Sequence, residues 1–253
     1  MARMVLSARM PRIAMVVPCF NEEQRLDVEV FRTFELPGHD LQFLFVNDGS
    51  TDGTLRVLQS LRDANPSRVS ILDLEKNSGK AEAVRRGMMQ AADTHPDFLG
   101  FWDADLATPL SELPAFINVF ERPNIEIIFA ARVRLLGREI SRRPDRHYLG
   151  RVGATLISQT LGLAIYDTQC GAKVFRMNDA IPQVFGRPFR SRWIFDVEII
   201  ARYLKLWGRD RVAQSLYELP VTVWHDVKGS KLRSTDFVHA LRDLWKIRRE
   251  YFH

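Results

Sequence analysis

Five short apolar runs, each closed by a knot of polar residues, restrict this chain to few folds. The runs are Ile13–Val17, Leu41–Val46, Val69–Leu74, Phe98–Trp102 and Ile125–Phe129. Helix-like segments separate them: Glu22–Phe34, Asp52–Arg62, Lys80–Ala92 and Leu110–Phe120. Near-continuous apolar strands alternating with helices require parallel βαβ units with both sheet faces covered. The expected fold is therefore α/β, a mostly parallel central sheet flanked by helices. Ligands of such sheets bind outside the carboxyl ends of the strands. Function is to be sought in the polar closures: Pro18 to Glu22, Asn47 to Thr54, Asn77 to Lys80, and Asp103-Ala104-Asp105.

A chain of 253 residues, 46% hydrophobic, buries enough surface to fold without disulfides or metal. No apolar run approaches the roughly 18 residues of a membrane span. Met1–Arg12 has no apolar stretch and does not read as a secretory signal. Cys19 and Cys170 match neither a disulfide framework nor zinc spacing, so the cytoplasm is the expected compartment. After Ala131 the alternation fades without a linker. The expectation is one domain over 1–253, with halves 13–105 and 106–235 and a basic amphipathic helix over 236–253. The net charge of +5 is concentrated. Arg132–Arg151 holds seven arginines against two acids, and Asp226 onward holds seven Lys or Arg against four acids. Such clusters point to phosphates of a small ligand or to an anionic membrane. Nucleic acid is disfavoured, because Tyr148 alone in the first cluster offers a ring for stacking.

Alternate residues of an extended chain point the same way, so Asp103 and Asp105 face one ligand together. Two hard oxygen donors suit Mg²⁺ or Mn²⁺. Asp48, at the end of the second run, is placed to accept hydrogen bonds from a base or ribose, while Ser50 or Thr51 serves as a helix cap. No Gly-x-Gly-x-x-Gly follows the first run, where Pro18 stands instead, and no Walker A loop is present. That excludes a dinucleotide-binding domain of the usual kind.

Val-Val-Pro-Cys-Phe-Asn-Glu22, Asn47-Asp-Gly-Ser-Thr-Asp52 and Asp103-Ala-Asp105, in this order, resemble family 2 glycosyltransferases of the GT-A fold. Asp167-Thr-Gln-Cys-Gly171, Arg192-Trp-Ile-Phe-Asp-Val-Glu198 and Gly229-Ser-Lys231 sharpen the likeness to dolichyl- and polyprenyl-phosphate β-glucosyltransferases, over Ile13 to Arg249. The resemblance implies inverting, metal-dependent transfer of a hexose, glucose from UDP-glucose, to a polyprenyl phosphate. It makes 13–105 the nucleotide-sugar half and 106–235 the acceptor half. It places Pro18, Asn21, Glu22, Asp48, Lys80, Asp103, Ala104, Asp105 and Arg132 around the nucleotide sugar. The Mg²⁺ or Mn²⁺ falls to Asp103 and Asp105. Arg143, Arg146, Gln169, Trp193 and Lys231 fall toward the acceptor or its phosphate. Asp167 and Asp196 are candidates for positioning or base work, and equally for buried carboxylates paired with an arginine such as Arg192. Mannosyl relatives carry Gln two residues after the second Asp. Here that position is Ala107, as in the glucosyl type.

The terminal stretch interleaves Leu241, Leu244 and Trp245 with Arg242, Lys246, Arg248 and Arg249. It fits a helix in a membrane interface or one packed on the core. The expectation is peripheral contact at the cytoplasmic face, with the oligomeric state open. The alternatives are GDP-mannose or another UDP-sugar as donor, a saccharide hydroxyl as acceptor, and a non-catalytic nucleotide-sugar scaffold.

Overall fold

A computed structural model describes residues 9–141, 144–226 and 234–252. The first half is a run of βα units: β1 (Arg12–Cys19), α1 (Val28–Thr33), β2 (Asp40–Asp48), α2 (Thr54–Ala64), β3 (Val69–Leu74), α3 (Lys80–Ala92) and β4 (Phe98–Trp102). A 3₁₀ turn at Leu110–Glu112 leads into α4 (Leu113–Val119), β5 (Ile127–Ala131) and the short β6 (Glu139–Ser141). The remainder comprises α5 (Pro144–Leu161), β7 (Ala172–Arg176), α6 (Ala180–Phe185), α7 (Phe195–Trp207), α8 (Arg209–Ser215), β8 (Leu216–Pro220), β9 (Val223–His225) and α9 (Ser234–Tyr251).

Seven strands form one sheet in the order β3-β2-β1-β4-β7-β5-β8, and β6 pairs with β9 apart from it. Only β7 runs antiparallel, between β4 and β5. Alternation along β1 feeds two cores. Ala14 and Val16 join one face, with α3 and α7, while Ile13, Met15 and Val17 join the other, with Phe31, Phe43 and Phe45. Phe31 meets Phe43 and Phe45 edge-on at 5.4 and 5.1 Å, a favoured aromatic geometry. Burial of each such ring stabilises the fold by roughly 1.5–3 kcal/mol.

Two elements depart from the sequence expectation. The first helix spans Val28–Thr33 only, since Asp27 caps it by accepting the Val30 amide at 3.1 Å. Residues before it are free to form a loop at the sheet edge. β5 begins two residues late, because Ile125 is held in a turn by its amide bond to Arg122 O at 3.1 Å.

Candidate active site

Strand order reverses between β1 and β4, and the crevice this opens is the usual ligand position of a doubly wound sheet. Asp103 leaves β4 there, its N–H donating to Gly171 O at 2.9 Å. A Cβ at position 171 would stand 1.9 Å from Asp103 Oδ2, so only glycine leaves room for that carboxylate. The chain then turns through Leu106 at φ +51°, a conformation that costs a leucine energy and is found at functional loops. Ala107 N donates to Asp105 Oδ1 at 3.1 Å, and the buried Trp102 indole donates to Thr108 O at 2.6 Å. The Asp105 carboxylate is thus held by a backbone amide, and Asp103 by its own N–H and the space at Gly171.

Lys80, the first residue of α3, places Nζ 2.5 Å from Asp103 Oδ1. Burial works against this ammonium, yet Asp103, Asp196 and Asp105 together raise its pKa above the ordinary lysine value. Glu22 is buried. Its N–H donates to Thr54 Oγ1 at 2.7 Å, its Oε1 meets Arg25 at 2.5 Å, and its Oε2 has no hydrogen-bond partner. Burial pushes the Glu22 carboxyl up, Arg25 pulls it back, and Asp105 and Asp103 push it up again. Asp105 has no cation within ion-pair distance among the described residues. Burial and then Asp103 push its pKa up. Lys80 and Arg25 are taken up by Asp103 and Glu22, so Asp105 is left as an unpaired hard oxygen donor beside Asp103. That is the chemistry a divalent ion such as Mg²⁺ or Mn²⁺ satisfies, so the residues present fit one. Among the described residues no three His, Cys, Asp or Glu side chains form a metal-sized cluster. Asp103 and Asp105 would supply only part of a coordination sphere.

Several expected site residues have other uses. Asp48 is buried, and its two oxygens accept the amides of Ser78 and Gly79, both at 2.8 Å. It shapes the loop before α3. Arg132 forms a two-pronged pair with Asp167, Nε to Oδ2 at 2.7 Å and Nη2 to Oδ1 at 2.8 Å, over the Trp224 ring. Asp196 pairs with Lys173 at 2.7 Å, not with Arg192. Asn21, at φ +55°, donates its N–H to Ser50 Oγ at 3.0 Å and accepts Thr51 N at 2.9 Å. It knits the first closure to the second. Pro18 lies in β1 beside Val46, and Ala104 and Ala107 are buried, adding no oxygen to the aspartates. Gln169 is exposed, its amide bonded to Thr168 Oγ1 at 3.1 Å, and Trp193 is 45% exposed. Arg143, Lys231 and the side chain of Arg146 lie outside the described residues.

Arg25, Lys173 and the seat at Gly171 are functional features that the sequence patterns above do not single out. A lysine in the midst of Gly-Ala-Lys-Val-Phe was a usable signal, since a charge inside an apolar strand needs a buried partner. Lys173 Nζ also bonds Cys170 O at 2.5 Å and lies 4.8 Å from the Phe129 ring. Nothing in the local sequence marks Arg25.

The family model described as glycosyl transferase family 2 matches residues 14–181. A dolichyl-phosphate β-glucosyltransferase of Dictyostelium discoideum is 28% identical over 94% of this chain and 74% of its own length. Another from Trichomonas vaginalis is 31% identical over 92% of this chain and 69% of its own. Among solved structures, glucosyl-3-phosphoglycerate synthase of Mycobacterium tuberculosis, in complex with Mn²⁺, UDP-glucose and phosphoglyceric acid, superposes with a TM-score of 0.62. It is 17% identical and covers 94% of this chain and 80% of the synthase.

Proposed function

This chain belongs to glycosyl transferase family 2 and is a hexosyltransferase, and from that we propose that it transfers glucose from UDP-glucose, with inversion, to a polyprenyl phosphate. The names of its relatives support the sugar and the lipid acceptor. The UDP-glucose and Mn²⁺ held by the solved synthase support the donor and the metal. Ala107 fits the glucosyl type.

One observation carries the choice of a phosphate acceptor over a hydroxyl. Both candidate bases, Asp167 and Asp196, are buried and neutralised, by Arg132 and Lys173. A sugar hydroxyl must lose its proton during attack and calls for a free base. A phosphate monoester is already an anion at neutral pH and needs none. In this reading residues 13–105 bind the nucleotide sugar and residues 106–235 the acceptor. Lys80 and Asp103 stand at the donor's diphosphate, and Glu22 and Arg25 wall the pocket beside it. Asp103 and Asp105 would hold a Mg²⁺ or Mn²⁺ that offsets charge on the departing diphosphate. The lysine and the seated aspartates are already in place, so little reorganisation accompanies transfer.

Membrane contact in this reading is peripheral, at the cytoplasmic face, and falls to residues 236–253. Among the described residues no helix is long and apolar enough to cross a membrane. α9 buries Leu244 and Ile247 and leaves Trp245 60% and Leu241 39% exposed, among Arg242, Arg248 and Arg249. Apolar side chains among cations suit a lipid interface. The test is label transfer to a short polyprenyl phosphate in mild detergent, across UDP- and GDP-sugars, with and without EDTA. Metal-dependent product from UDP-glucose is expected. Product from GDP-mannose would overturn the donor, and donor hydrolysis without lipid product would overturn the acceptor.

A further inference from the structure

Arg192 has a built seat and, among the described residues, no carboxylate paired with it. It lies in the loop entering α7, which is fixed on every side. Ser191 Oγ donates to Asp243 at 2.8 Å and accepts the amides of Trp193 and Ile194 at 3.2 and 2.9 Å. The wholly buried Glu198 accepts the Arg190 amide at 2.7 Å and pairs with Arg202 at 2.7 Å. From this loop the Arg192 side chain crosses to the opposite wall of the crevice and lies against Gly79. A Cβ at Gly79 would stand 2.8 Å from both Nε and Nη2 and 3.2 Å from Cζ, so the flat of the guanidinium covers the glycine. Gly79, at φ +94°, adopts a backbone open essentially to glycine, and Asp48 holds its amide from the other side. The next residue is Lys80, on Asp103.

The arginines nearby are committed: Arg25 to Glu22 and Arg132 to Asp167. Arg192 is exposed, and no carboxylate of a described residue pairs with it. An exposed arginine resting on a glycine adds little to stability. A guanidinium laid against the crevice wall, with no donor bonded to a described residue, is suited to gripping phosphate oxygens two at a time. We infer that Arg192 is a substrate-contacting residue, closing the crevice over a phosphate of the reactants from the acceptor side. The inference rests on the transferase reading above. The phosphate comes either from the nucleoside diphosphate or from the lipid acceptor.

The test uses the full chain and the Arg192→Ala and Arg192→Lys variants. Calorimetry with Mg²⁺ gives affinities for UDP and for uridine, and initial rates give KM for a short polyprenyl phosphate. Loss of one charge-assisted contact predicts a weakening of about tenfold or more in one of these phosphate ligands. Uridine affinity and melting temperature stay unchanged, and lysine restores part of the loss. Weaker UDP binding assigns the donor, and a raised acceptor KM assigns the lipid phosphate. If Arg192→Ala leaves UDP affinity, acceptor KM and kcat at wild-type values, the inference is overturned. A wild-type protein that binds neither UDP nor GDP and transfers no sugar overturns the functional reading, and this inference with it.

Discussion

Substitution of Gly171 by alanine tests whether the seat of Asp103 matters to the chemistry. The added Cβ would lie 1.9 Å from Asp103 Oδ2 and 2.2 Å from Cγ. Ordinary contact begins near 3.4 Å, so the carboxylate must withdraw by roughly 1.5 Å. The group that moves is the tip of a side chain, and the Asp103 N–H to Gly171 O bond at 2.9 Å is retained. Stability should therefore change by no more than about 1 kcal/mol, or roughly 2–4 °C in a chain of this size. Activity should suffer far more. Misplacement of a positioned group by about 1 Å can lower a rate by ~10²-fold, equivalent to ~2.7 kcal/mol at the transition state. The assay is kcat and kcat/KM for sugar transfer, beside melting with and without Mn²⁺. A variant that melts normally, loses about a hundredfold in kcat and responds less to Mn²⁺ is the expected result. Wild-type kinetics from a folded Gly171→Ala protein would refute the reasoning, because the carboxylate would have found an equally good position.

Further outcomes follow from the same charges. Lys173→Met leaves the buried Asp196 uncompensated and should cost about 3–5 kcal/mol, some 6–20 °C of Tm. The Lys173→Met, Asp196→Leu double variant should recover much of this, and thermal melts of all three chains decide it. Asp105→Asn removes one of two crowded acids, so the metal-free protein should melt higher at pH 7 while turnover is lost. The sign agrees with pH. Asp105 and Glu22 have folded-state pKa values above their ordinary ones, so ionising them works against the fold. Their contribution is full at low pH, and Tm of the metal-free protein should fall as pH rises from about 4 through the raised values. A flat Tm over that window would contradict the crowding of these acids. Trp245→Ala should weaken binding to anionic vesicles by roughly ten- to a hundredfold and leave turnover of a short, soluble acceptor unchanged. Sedimentation with vesicles reads it, and undiminished binding would remove α9 from the membrane surface.

β1, β2 and β4 are legible because they are buried along most of their length and so read as near-continuous apolar runs, and the edge strand β3 because Val69, Ile71, Leu72 and Leu74 stay apolar around the exposed Ser70 and Asp73. β7 is not. Lys173 stands in its middle and Arg176 at its end, and the burial of Lys173 depends on Asp196, a residue on a distant helix. The site shows the same division. Asp103 and Asp105 are visible as acids closing a strand, and their crowding follows from spacing alone. That Asp48 would be taken by two amides thirty residues away is a product of the β2 to α3 packing. Arg132 and Asp167 likewise read as separate charges until β5 and the loop before β7 bring them together. Residues whose partners lie along the same strand end were readable. Those whose partners arrive by tertiary folding were not.

Glucosyl transfer with inversion to a lipid phosphate can be read from the product itself. The protein would be incubated with UDP-[¹³C]glucose, Mg²⁺ and a short polyprenyl phosphate, and the reaction followed by ¹H, ¹³C and ³¹P NMR. A β-linked glucosyl phosphodiester appearing in step with free UDP is the expected result. An α-linked product would contradict inversion. Free glucose with UDP and an unmodified lipid phosphate would contradict the acceptor.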